Sequence, residues 1–216
     1  GRWMMRAGRP EPQSRPRENI PISKAMAAEL EEQLQGLHQE LEKEKMALNQ
    51  EMQERMGPAV GEMDDACNRI THHDVMELSR VKDLKEPIPG ILATLALVVY
   101  SVPLDSKDST AWRRPIHPEL MFDLKKFDRD SKAGDEKVLE RLEEHFGDPR
   151  LSAKSVEEGA VFPVAKWLTR WLAGYHAYVK MEQDLHPKVQ QLVKMEANFQ
   201  EMSRRLAEAR AAAQGS

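Results

Sequence analysis

Cysteine is nearly absent: Cys67 is the single one in 216 residues. No disulfide can form within the chain, and a reducing compartment is its natural setting. Aromatic residues make up only 6%, a poor supply of rings for one thick globule. No apolar run approaches the roughly 18 residues that a membrane-spanning helix needs. The longest, Ile91–Tyr100, is interrupted by Thr94 and has the length of a buried helix. A basic excess is missing too, since the formal net charge is −4, so neither nucleic acid nor an anionic membrane is expected as a partner. No Gly-x-x-x-x-Gly-Lys-Ser/Thr loop appears, which argues against a P-loop nucleotide site. His72-His73-Asp74 is the one metal-like cluster. Adjacent residues on a helix do not share a face, and no spaced Cys or His accompanies them, so helix capping or surface histidines are the plainer reading. No catalytic residue, metal or cofactor is expected.

What the chain has is charge, at 31%, and helical periodicity. Leu30, Leu34, Leu37, Leu41 and Leu48 follow steps of four and three, with one polar step at Glu44. Glu31, Glu32, Glu40, Glu42, Lys43 and Lys45 between them form a solvated face. A second stripe, Leu192, Met195, Phe199, Met202, Leu206 and Ala209, lies near the other end. Between the stripes the composition shifts to proline and aromatics, with turn signals at Glu86–Gly90, Ser101–Thr110, Ser131–Asp135 and Gly147-Asp148-Pro149. Phe162-Pro163 opens a last long helix, and strand alternation is absent.

These patterns predict an all-α fold. Two long amphipathic helices bury their stripes most simply against each other, as an antiparallel coiled-coil hairpin stalk. A small bundle of five to six short helices caps it. Residues 1–22 are expected to be a disordered basic arm or a fragment end, with Arg2, Arg6, Arg9, Arg15 and Arg17. The outgoing stalk helix is expected over 23–70, the helical head over 71–186 and the returning helix over 187–216.

Several local segments point in one direction. Pro58-Ala59-Val60-Gly61-Glu62-Met63, through Ala66 to Ile70, precedes Arg80-Val81-Lys82-Asp83-Leu84-Lys85-Glu86-Pro87. Then come Pro89-Gly90-Ile91 and its apolar run, Trp112, Phe127-Asp128-Arg129-Asp130, and Asp148-Pro149-Arg150-Leu151 with Val156. Leu168-Thr169-Arg170-Trp171-Leu172, Tyr178 and Leu185-His186-Pro187-Lys188 complete the series. In this order, and framed by two coiled-coil arms, the segments resemble the microtubule-binding domain of dynein heavy chains with the distal part of its stalk. The resemblance is close over Pro58–Lys188, and Trp112 with Phe127–Asp130 leans toward the axonemal branch. By this resemblance the chain would be a divergent member. The family's Ser-x-Ala-Cys step reads Phe162-Pro163-Val164-Ala165, and Pro115 and Pro118 stand where the family continues a helix.

The resemblance implies tubulin as the partner, a cytoplasmic, cytoskeletal or ciliary (axonemal) location, and coupling to a remote ATPase ring through the stalk register. Because tubulin is acidic, the contacts would be Lys and Arg collected on one face. Carried over by position, these are Lys82, with Arg80 beside it, and Arg170, with Lys166 one turn earlier. Arg113, Arg114, Lys125 and Lys126 lie in the third-helix region. Trp171 and Tyr178, seven apart, are expected in the core, whereas Trp167 is open to either reading. The rival is a scaffold with little microtubule affinity, which the acidic head and the broken third helix favour.

Overall fold

The structure is a computed structural model and describes residues 24–105, 107–159 and 162–214. Among these residues the secondary structure is wholly helical: eight α-helices and two short 3-10 turns. The expectations for 1–22 lie outside the described residues. The first helix, α1, is Lys24–Arg69, and the last, α8, is Pro163–Gln214. Between them come α2 (His72–Arg80), α3 (Ile88–Tyr100), α4 (Leu120–Lys126), α5 (Asp130–Ala133), α6 (Glu136–Gly147) and α7 (Ala153–Gly159). The chain divides into two compact units. Of the described residues, one holds 24–40 with 195–214, the other those within 41–194.

In the first unit, the Arg210 guanidinium donates to Glu31 Oε1 at 2.6 Å, and the rings of His38 and Phe199 lie 5.4 Å apart. Leu206 and Ala209 are buried there, as their place in the second stripe predicts.

The second unit holds the main core. α3 (IPGILATLALVVY) is apolar almost all round, so it buries Ile91, Leu92, Leu95 and Val98 completely. α1 contributes Met56, Ala59, Met63, Ala66 and Cys67, and α8 contributes Val164, Leu168, Trp171, Leu172, Tyr175 and Val179. Trp171, Tyr175 and Tyr178 are all buried, with Phe127 edge-on to the first two at 5.4 and 5.1 Å. Pro58 lies inside α1 and Pro187 inside α8. Each lacks the amide that would bond the carbonyl four residues back. Near them, Arg55 Nη2 meets Asp184 Oδ2 at 2.8 Å, and Lys188 is ion-paired to Glu51.

Local chemistry sets the element ends. Thr71 and Asp74 form a reciprocal capping box at the start of α2, with Thr71 N donating to Asp74 Oδ2 at 2.9 Å and Asp74 N to Thr71 Oγ1 at 3.2 Å. Asp74 of the metal-like triplet is thereby a cap, and His73 Nε2 lies 3.3 Å from Glu77. α3 ends on Ser101 with φ 55°. The amide of Val102 reaches back to the Ala96 carbonyl at 3.1 Å, a Schellman closure that usually takes glycine at the left-handed position. Pro115 and Pro118 leave only the turn Ala111–Arg113 and the short α4 where a longer helix could run.

Candidate functional site

The start of α8 carries two of the predicted cations on one face. Lys166 and Arg170 are four apart, so their side chains neighbour each other. Trp167 lies beside them, half-buried. α1 brings a third cation, Arg69, from almost 100 residues away in sequence. Around the Trp167 ring centroid stand the Arg69 guanidinium at 5.0 Å, the Lys166 ammonium at 5.1 Å and the Arg170 guanidinium at 5.2 Å. Each approach is within cation–π range.

Carboxylates interleave with these cations. Glu157 of α7 pairs with Lys166, and with Arg170 Nη2 at 3.7 Å. Glu62 of α1 stands 3.8 Å from Arg170 Nε, and Asp65 lies 3.2 Å from Arg69 Nε. Lys166 first, and Arg170 after it, hold the Glu157 carboxyl below its ordinary range. Three positive and three negative groups thus form one half-exposed network, and its net charge is near zero.

A second group gathers after α2. Arg113 turns its guanidinium onto the chain, donating from Nη2 to the Val81 carbonyl at 2.7 Å and from Nη1 to the Lys82 carbonyl at 3.1 Å. It also lies 5.3 Å from the Trp112 ring centre. Arg80, Lys82 and Arg114 are exposed. The segment bearing Lys82 also approaches the end of α7 and the residue before α8: Val81, Leu84, Pro87, Gly159 and Phe162 line one cleft of about 150 Å³. Lys125 and Lys126 form the exposed last turn of α4.

The predicted residues therefore fall into three groups. Lys166 and Arg170 meet around Trp167. Arg113 is joined to Lys82 through backbone, with Arg80 and Arg114 nearby in sequence. Lys125 and Lys126 stand apart on α4. Sequence reasoning missed Arg69 and the carboxylates of Glu62 and Glu157. The only signal for Arg69 was its helical spacing from Glu62, seven residues earlier on α1.

Other chemically active side chains lie in the core, apart from these clusters. Cys67 is buried, and burial, then the Asp64 carboxylate, pushes its thiol up to about 11. Tyr100 Oη donates to Asp123 Oδ2 at 2.7 Å and lies 2.8 Å from His117 Nε2, tying α3 to α4. Among the described residues no group of His, Cys, Asp or Glu could hold a metal ion, and no helix is long and apolar enough to cross a membrane. Compared with protein-family models and with curated proteins, the chain matches none.

Proposed function

We propose that this chain is the microtubule-binding tip of a dynein-type stalk, acting by binding rather than catalysis. α1 and α8 form the antiparallel coiled-coil hairpin. Two sets of cross-helix partners support that reading. Glu31 with Arg210 and His38 with Phe199 run in opposite order in one unit. Glu51 with Lys188 and Arg55 with Asp184 do the same in the other. The tip contacts acidic tubulin through Lys166, Arg170 and Lys82, and a change in register between the helices carries the binding state to a distant ATPase ring. The observation that carries the proposal is the convergence of Lys166 and Arg170 on the first turns of α8, half-exposed beside Trp167.

A scaffold with little microtubule affinity is the second reading. It is favoured by the neutralising Glu157 and Glu62 and by the inward turn of Arg113. Co-sedimentation with microtubules across a salt series separates the two. A working tip binds at micromolar or weaker affinity and releases as salt rises, because rim contacts are worth about 0.2–1 kcal/mol each and are screened. Lys82→Glu combined with Arg170→Glu abolishes pelleting. No pelleting at low salt would favour the scaffold.

A further inference from the structure

The Trp167 cluster holds unused donor capacity. Among the described residues the Arg170 guanidinium makes no close hydrogen bond; its carboxylate neighbours stand at 3.7 and 3.8 Å. Arg69 donates to Asp65 from Nε alone, at 3.3 and 3.2 Å, which leaves the outer edge of its guanidinium open. Its side chain is 56% exposed. A guanidinium fork matches a carboxylate with two parallel hydrogen bonds, a geometry that a lysine ammonium cannot offer. Two such forks, drawn from different helices, are gathered on one indole. Like charges at this spacing repel, and the ring's negative face helps to hold them together.

We propose that Arg69, Arg170 and Trp167 form a receptor for an extended glutamate-rich peptide. Each arginine takes one carboxylate, and the half-buried indole supports the chain between them. Lys166 adds charge without a fork. Arg69 is then a contact residue, and Trp167 a positioning residue that keeps the two guanidinium groups converged. The proposal rests on the microtubule reading and deepens it: the ligand at this cluster is a flexible acidic tail rather than the folded lattice surface.

The test is a titration of the full chain with fluorescein-labelled deca-glutamate at low salt, read by anisotropy. Arg69→Ala and Arg170→Ala should each weaken binding at least threefold, and the double variant at least tenfold. Arg69→Lys should lose nearly as much as Arg69→Ala, because it keeps the charge and removes the fork. Trp167→Leu should weaken binding although all three cations remain. Circular dichroism melting confirms that each variant is folded, and Arg69→Ala, at an exposed position, keeps the test independent of the others. Absence of peptide binding, unchanged affinity in the arginine variants, or equal binding of an oligothymidylate of matched charge would overturn the proposal. A second arm compares intact microtubules with microtubules whose acidic tails have been removed by protease. Reduced pelleting on trimmed microtubules supports the inference; equal pelleting overturns it while leaving the microtubule reading intact. If the chain pellets with neither, the microtubule reading fails, and the peptide titration alone decides whether the cluster is an acidic-peptide receptor.

Discussion

Gly174 of α8 lies directly against Met63 of α1. A β-carbon built on Gly174 would stand 2.7 Å from Met63 Cγ and 2.9 Å from the Ala59 carbonyl oxygen. The Met63 side chain can shift, but the backbone carbonyl of Ala59 cannot move without moving α1. Glycine is therefore required here by the close approach of two helices, even though it lowers helix propensity. Gly174→Val should destabilise the second unit by about 1–3 kcal/mol, the usual range for overpacking. Gly174→Ala should cost less. Urea unfolding followed by circular dichroism measures both, and unchanged midpoints would remove the close-crossing argument.

His145 predicts an acid-sensitive core. Its side chain is fully buried on α6, with Nδ1 2.9 Å from Thr94 Oγ1. Thr94 Oγ1 also receives Arg141 Nε at 3.0 Å and faces the Gly90 carbonyl at 3.1 Å. Among the described residues His145 Nε2 has no hydrogen-bond partner. Burial, then Arg141, pushes His145 down to about 4, with His176 acting the same way and Asp148 opposing. The unfolded chain takes up the proton near 6.5 and the folded chain only near 4, so unfolding binds a proton throughout that window. Stability is full above the unfolded value and falls as the pH drops through 6.5 toward 4, by about 2 kcal/mol at pH 5. His176, also lowered by burial, adds to the slope. Urea titrations between pH 7 and 5 should show this loss in the native chain and a shallower one in His145→Leu.

Ser101 offers a stabilising substitution. At φ 55° its Cβ is crowded, and the position suits glycine. The compensating interaction is a single exposed hydrogen bond, Lys132 Nζ to Ser101 Oγ at 2.7 Å. Ser101→Gly should raise stability by about 0.5 kcal/mol, because relief of the backbone strain outweighs removal of that hydrogen bond. The check is a higher urea midpoint with unchanged slope.

Glu157 should act against binding at the proposed face. It pairs closely with Lys166 and stands 3.7 Å from Arg170 Nη2. Glu157→Gln keeps the size of the side chain and removes its charge, so under the proposed microtubule reading affinity should rise by about 1.4- to fivefold, in line with surface ion pairs of about 0.2–1 kcal/mol. Co-sedimentation at fixed low salt reads the change, and equal or weaker binding would count against Lys166 and Arg170 as contacts.

How far the fold could be read depended on whether a pattern repeats. The first stripe was legible: Leu41 and Leu48 are buried, and Leu30, Leu34 and Leu37 are half-buried. So was α3, because a run with no polar face has nowhere to go but the interior. Trp171 and Tyr178 fell where a seven-residue spacing on one helix face puts them. The four-residue α5 carries no such signal, since one turn cannot establish a period. In the candidate site, the pairing of Lys166 with Arg170 followed from a spacing of four. The arrival of Arg69 and Glu157 did not, because encounters between distant segments depend on how helices pack. The inward turn of Arg113 was equally hidden: its neighbours in sequence show no helical period, and its acceptors are main-chain carbonyls about 30 residues away.

That inward turn bears on any scan of the basic residues. Arg113 fastens the main chain at Val81 and Lys82, so replacing it frees a neighbouring cation to wander. If the chain binds microtubules as proposed, pelleting would weaken even if the Arg113 guanidinium never met tubulin. Amide exchange at Val81–Leu84 tells the two origins apart. If Arg113 serves as a fastener, its replacement quickens exchange in the unbound chain; if it serves only by touching tubulin, exchange there stays as it was.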